Sequence, residues 1–171
     1  MMKSASLIVL MVMVMLLGIT YASKCPNGMS EYNGACYEVH EGSRSFPEAL
    51  RYCTDRGYYL ANINAEIELD HINTLLGGRR FKHLEGYWIG GFWNVKRNVW
   101  QWYHVDNNGN DVYTDLTPDN TDASWFARGE PTEGRDNFMF PENRLMLRAN
   151  GKISSETLMN QVGFICETSR K

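Results

Sequence analysis

After residue 24 the hydrophobic positions fall into short apolar runs separated by turn-forming clusters. Residues 25–40 carry turn signals at Pro26-Asn27-Gly28 and Asn33-Gly34, around Tyr32 and the Cys36-Tyr37 pair, which predicts a small hairpin. Ser45-Phe46-Pro47-Glu48 has the spacing of a helix capping box with proline in the first turn. Ala49, Leu50 and Cys53 then recur at helical spacing, so a helix is predicted to about residue 54, stopped by Gly57. Residues 58–61 read as a strand. A second helix follows Asn64, with Leu69, Ile72 and Leu76 on one face and Gly77-Gly78 at its end. Tyr87-Trp88-Ile89-Gly90-Gly91 is a buried strand, and Trp100-Gln101-Trp102 puts two indoles on one face of another. From 105 to about 141 the chain is polar and rich in turns, and a connection of that length inside a compact domain is usually functional. Residues 142–149 and 162–167 read as closing strands, with Asn150-Gly151 as the turn between them. The pattern is that of one α+β domain without repeats or an interdomain linker.

Composition adds compartment rather than fold. The 171 residues suit a single domain, and 43% hydrophobic with 22% charged residues is ordinary for a globular chain. A net charge of −3 excludes a nucleic-acid binder that works by bulk phosphate neutralisation. Lys3, the apolar run 7–19 and the small residues up to Ala22 have the form of a secretory signal, cleaved after Ala22. Residues 1–22 are then the signal and 23–171 the mature domain, with its core at 25–167. The apolar run is short for a bilayer and no second one follows, so a secreted, extracellular protein without a membrane span is expected. Cys25, Cys36, Cys53 and Cys166 all lie beyond the signal, and an even number in a secreted chain argues for two disulfides in one of three pairings.

Catalytic and metal motifs are weak. Asp106-Asn107-Asn108-Gly109-Asn110-Asp111 starts like an EF-hand loop, but its sixth position is Asp111 and its twelfth is Thr117, so it reads as a polar turn. His40, His71, His83 and His104 are scattered without metal-ligand spacing. No nucleophile elbow or phosphate loop is present, and an enzyme is not expected. All five tryptophans fall between 88 and 125; Trp88, Trp100 and Trp102 suit the core, while Trp93 and Trp125 are candidates for stacking on a sugar ring.

Several of these pieces occur together in one known family. The opening Cys25-Pro26 and Cys36-Tyr37, the helix segment 45–53, Trp88-Ile89-Gly90-Gly91, Trp100-Gln101-Trp102 and Gly129-Glu130-Pro131 come first. Glu142-Asn143, Asn150-Gly151-Lys152 and Phe164-Ile165-Cys166-Glu167 complete the set. In this order and spacing the chain resembles a C-type lectin-like domain over residues 25–167. The resemblance implies two helices, two small antiparallel sheets and a long ligand-binding loop at about 105–143. It also implies disulfides Cys25–Cys36 and Cys53–Cys166.

Sugar-binding members hold calcium with a Glu-Pro-Asn or Gln-Pro-Asp motif, a later Glu and an Asn-Asp pair. Here the resemblance maps the first onto Glu130-Pro131-Thr132 and the second onto Glu142, which makes Glu130, Thr132, Glu142 and Trp125 the candidate ligand-binding residues. The Asn-Asp pair maps onto Ser154-Ser155, hydroxyls that are weak calcium donors. A calcium ion would therefore rely on Glu130 and Glu142, with Asp136 or Asn137 recruited. Without it, the acids are expected to point apart into solvent beside a trans Glu130–Pro131 bond. The positions of the family's inner disulfide map onto Arg144 and Leu158, which are expected to lie close together on adjacent strands. The expected partners are glycans or extracellular proteins. The alternative is a structural or protein-binding part of an extracellular matrix, as in the perlucin-like members associated with calcified shell.

Overall fold

The structure, a computed structural model, describes residues 25–77, 85–106, 108–117, 119–132 and 142–169. Residues 1–22, expected to be a signal, lie outside them. Helix α1 spans Phe46–Thr54 and α2 spans Glu66–Gly77. The strands are β1 (Ser30–Tyr32), β2 (Ala35–Arg44), β3 (Tyr59–Leu60), β4 (Gly86–Asn94), β5 (Val99–Val105), β6 (Asp111–Asp115), β7 (Glu142–Arg148), β8 (Ile153–Thr157) and β9 (Val162–Ser169).

The strands run β1-β2-β9-β4-β5-β6, with β3 also on β9 and the β7–β8 hairpin attached through β4. Two antiparallel groups are joined by one parallel contact, Tyr87↔Gly163 and Trp88↔Phe164 between β4 and β9. Further along β4 there is no room at Gly90, where an added Cβ would come within 2.1 Å of Asn62 Oδ1 and 2.6 Å of the Leu60 carbonyl. The Gly90-Gly91 pair is thus a packing requirement of the strand.

Each helix covers a separate core. The α2 residues Leu69, Ile72 and Leu76 pack with Tyr87, Ile89, Trp100, Trp102 and Leu145. The α1 residues Phe46, Ala49 and Cys53 pack with Trp88, Met146, Phe164 and Cys166. The α1 start is fixed locally: the Ser45 amide and hydroxyl both donate to Glu48 Oε2, at 2.9 and 2.6 Å. These bonds hold the Glu48 carboxyl below its usual range. The Phe46 amide then donates to the Leu158 carbonyl at 2.9 Å, tying α1 to the end of β8.

Both disulfides have the expected pairing, Cys25–Cys36 and Cys53–Cys166, with Cα separations of 5.5 and 5.6 Å. Two expectations are corrected. The polar stretch after 105 contains a strand, since Asp111–Asp115 pairs with β5 from Gln101↔Asp115 to Val105↔Asp111. The long loop therefore begins at 116. The Asn150-Gly151 turn joins β7 to β8 rather than to the closing strand, because Ile153–Thr157 is itself a strand with Ser154 and Ser155 buried. A polar run lies in the sheet there because its hydroxyls find partners.

Candidate functional site

The segment after β6 is shaped by its own polar side chains. Asn120 Oδ1 accepts from the Thr117 amide at 2.8 Å, and its Nδ2 donates to the Asp115 carbonyl at 2.8 Å. Asp122 caps the short 3₁₀ turn Ala123–Trp125 by accepting from the Ser124 amide at 2.6 Å. The same bond holds the Asp122 carboxyl below its usual range. The turn drives Trp125 inward until only 6% of it is exposed, and Phe126 and Ala127 then meet Ile153 of β8. The segment is thereby pinned at both ends against the sheet.

Between the pinned segment and the sheet lies an open cleft of about 880 Å³. Its walls include Trp93, Trp100, Asn120, Asp122, Trp125 and Glu130. Trp93 and Trp100 stand edge to face with centroids 5.6 Å apart. Trp93 is half-buried and offers part of its ring, whereas Trp100 and Trp125 are almost wholly packed away. Flat apolar walls beside amide and carboxylate groups form a surface that suits a polyhydroxylated ring.

Glu130 departs from the expected solvated acid. The Glu130–Pro131 bond is cis, where a trans bond was expected. The side chain is half-buried, and its Oε2 accepts from the Ser155 amide at 3.0 Å, the Ser155 hydroxyl at 2.5 Å and the Thr132 amide at 3.1 Å. Thr132 Oγ1 lies 2.7 Å from Ser155 Oγ, which joins the pair into one network. The neighbouring Ser154 hydroxyl accepts from Arg148 Nε at 2.7 Å. Three donors converging on one carboxylate oxygen explain why this acid turns inward rather than into water.

Of the other candidates, Glu142 opens β7 opposite Thr157. Its side chain, and all of Asp136 and Asn137, lie outside the described residues. Arg144 and Leu158 both reach Phe46: the Arg144 guanidinium carbon is 4.8 Å from its ring centroid and the Leu158 carbonyl accepts from its amide, with Leu158 just past the end of β8 rather than within an adjacent strand. Among the described residues one grouping of three possible metal donors occurs, Glu38, His40 and Cys166, but the Cys166 sulfur is committed to a disulfide.

A second polar cluster has no local sequence signature. Glu167, 5% exposed, accepts from the Asn62 amide at 2.9 Å and the Tyr59 hydroxyl at 3.0 Å. Burial pushes its carboxyl up to about 8 despite those bonds, and the nearby Glu68 adds to the rise. Glu68 itself accepts from the Tyr37 hydroxyl and the Asn64 amide. Burial and the two acids push Tyr37 and Tyr59 well above the usual phenol range. No pattern along the chain marks this cluster, since Tyr37, Tyr59, Glu68 and Glu167 come together only across the fold.

The fold, with its loop-bounded cleft, is that of the C-type lectin-like binding domains. The sequence profile of the Lectin C-type domain matches residues 42–168. The chain belongs to the C-type lectin domain family, whose members are binding proteins rather than enzymes. Ladderlectin of Oncorhynchus mykiss is 29% identical over 80 residues, 47% of this chain and 42% of that protein. Snaclec crotocetin of Crotalus durissus terrificus is 28% identical over 131 residues, 70% of this chain and 83% of its own length. The chain spans between about a third and three fifths of the first curated relatives it matches. Among solved structures, the human scavenger receptor C-type lectin carbohydrate-recognition domain superposes with a TM-score of 0.65 at 22% identity, covering 86% of this chain and all of that one. A calcium-independent C-type lectin, SPL-2 from Saxidomus purpuratus, gives 0.63 at 21%, covering 84% and 93%. Among the described residues no helix is long and apolar enough to cross a membrane.

Proposed function

We propose that this is a secreted C-type lectin-like binding module that takes glycans in the cleft beside Trp93, without a calcium ion at the Glu130 position. The observation that carries the reading is the state of Glu130. One of its carboxylate oxygens is engaged by three protein donors, and the two residues at the family's Asn-Asp position are buried hydroxyls bonded within the protein. Calcium needs six to eight oxygens, several of them carboxylate or amide. The described residues at this position offer hydrogen-bond donors where a cation would need acceptors. The cleft remains, with an indole face and the Asn120, Asp122 and Glu130 side chains to orient hydroxyl groups. Calcium independence is compatible with the fold, since SPL-2 is a calcium-independent lectin of the same architecture. A galactose-specific lectin, nattectin of Thalassophryne nattereri, is 31% identical over 80 residues, which supports glycans as the ligand class.

The test is calorimetric titration of calcium, followed by a glycan array with and without chelator. Expected are no calcium heat and glycan binding that survives chelator but falls in Trp93→Ala. Binding abolished by chelator would overturn the calcium-free reading. A blank array would overturn glycan recognition and favour a protein-binding module of an extracellular matrix.

A further inference from the structure

A second cavity, of about 280 Å³, opens on the other side of the sheet from the cleft. Side chains alternate along a strand, so Phe92 faces this cavity while Trp93 faces the cleft. Phe46 and Leu50 of α1, Phe92 of β4, Tyr103 of β5, Tyr113 of β6 and Arg144 of β7 line it. The aromatic lining is braced by itself. Phe92 and Tyr113 stand edge to face at 5.7 Å, Tyr103 and Tyr113 are 5.5 Å apart, and the Tyr103 hydroxyl donates to Asp111 at 3.0 Å. Tyr113 forms the rim, half exposed.

Arg144 is the odd member of this apolar wall. Its guanidinium lies over Phe46 and, at 5.9 Å, near Phe92. Nη1 donates to the Asn143 carbonyl at 2.7 Å, while Nε is buried with no acceptor. Its cross-strand neighbour Glu156 is engaged by Arg148 Nη2 at 2.7 Å and by Asn160 Nδ2 at 2.9 Å. Among the described residues Arg144 forms no ion pair. Ring faces compensate a cation in part. A guanidinium whose Nε is withdrawn from water is matched far better by a carboxylate, which accepts from the planar fork in pairs.

We propose that this cavity binds a small apolar monocarboxylate, its acid group on Arg144 and its body, aromatic or short aliphatic, among Phe46, Phe92 and Tyr113. The single cation and the apolar lining select against dianions such as phosphate, which need more donors. The volume lies just below the range usual for drug-sized ligands, so the ligand is small. The attraction of a counter-charge compensates the desolvation that lowers the Arg144 pKa.

The probes are 3-phenylpropanoate and its neutral isostere 3-phenylpropanamide, titrated into the full chain by calorimetry. Expected is saturable binding of the acid in the millimolar range or tighter, with the amide about tenfold weaker, an effect of one charge-assisted contact. Arg144→Met should abolish the preference for the acid. Tyr113→Ala, at the exposed rim, should weaken acid and amide alike. Absence of saturable acid binding, equal binding of acid and amide by the unmodified protein, or a preference that survives Arg144→Met would each overturn the proposal.

Discussion

The β7–β8 hairpin carries two departures from the family pattern, and they end differently. On β8, Ser155 stands where a calcium-binding carboxylate is usual, and its hydroxyl and amide close onto Glu130. On β7, Arg144 stands where the resemblance maps an inner disulfide position of the family, and its Nε is left without an acceptor. In the first case the acid and the hydroxyl complete one another, so the Glu130 carboxylate is satisfied within the protein. In the second, a guanidinium packs against ring faces while its Nε lacks an acceptor. Hydrogen-bond satisfaction thus tells apart two polar positions that lie on adjacent strands.

Glu167 provides the strongest test of that criterion, because it has donors and is nonetheless desolvated. Its carboxyl is raised to about 8 in the folded protein from an ordinary value of 4.5. The folded state therefore holds a proton that the unfolded chain releases between those values. Stability from this group is complete below about pH 4.5 and is lost as pH rises through about 8. Tyr37 and Tyr59 are pushed above this window, and His71, lowered by burial, acts in the opposite sense. Denaturant unfolding at pH 5 and pH 8 should show a decline on the order of several kcal/mol that is smaller in Glu167→Gln. Equal declines in the two proteins would show that hydrogen bonds alone settle a buried acid here.

A second test reinstates the missing bond. Arg144→Cys with Leu158→Cys should form a disulfide across the hairpin's open side and raise stability by up to about 3 kcal/mol for a loop of this length. Free thiols under oxidising conditions would show that the strand ends diverge. Ser155→Ala removes one donor from Glu130 and should cost about 2 kcal/mol, read as a lower denaturation midpoint. An unchanged midpoint would mean that the Glu130 network is not closed in solution. Arg144→Met should have the smallest effect, between neutral and about 1 kcal/mol stabilising, because it removes an unmatched charge from an apolar wall. A large loss there would show that Arg144 is already satisfied.

Elements with local causes were legible in the chain. The α1 start follows from Ser45, Pro47 and Glu48 within one turn, and α2 from the spacing of Leu69, Ile72 and Leu76. β8 was not legible, because Ile153-Ser154-Ser155-Glu156-Thr157 reads as polar until Arg148 and Glu130 supply partners. β6 was missed for the opposite reason: it lies at the sheet edge, exposed along most of its length, so it carries no buried rhythm. At the candidate site, the residue types at 130–132 drew attention to Glu130. The fate of Glu130 was set by Ser155, 25 positions away, and no local pattern encodes that contact.

The place of β9 in the sheet bears on how the chain reaches its native state. β9, the last strand described, lies at the middle of the order, flanked by β2 and β4 and also paired with β3. Its partner β2 begins more than a hundred residues earlier, as does Cys53, which closes onto Cys166 across 113 positions. During synthesis, β2 and β4 must each wait with a bare hydrogen-bonding edge until β9 has emerged to join them. Pairings this remote fold slowly, and waiting edges are where chains stick to one another. A ribosome-stalled chain ending near residue 160 should therefore remain protease-sensitive and bind chaperones, and adding β9 should complete both halves of the sheet in one step.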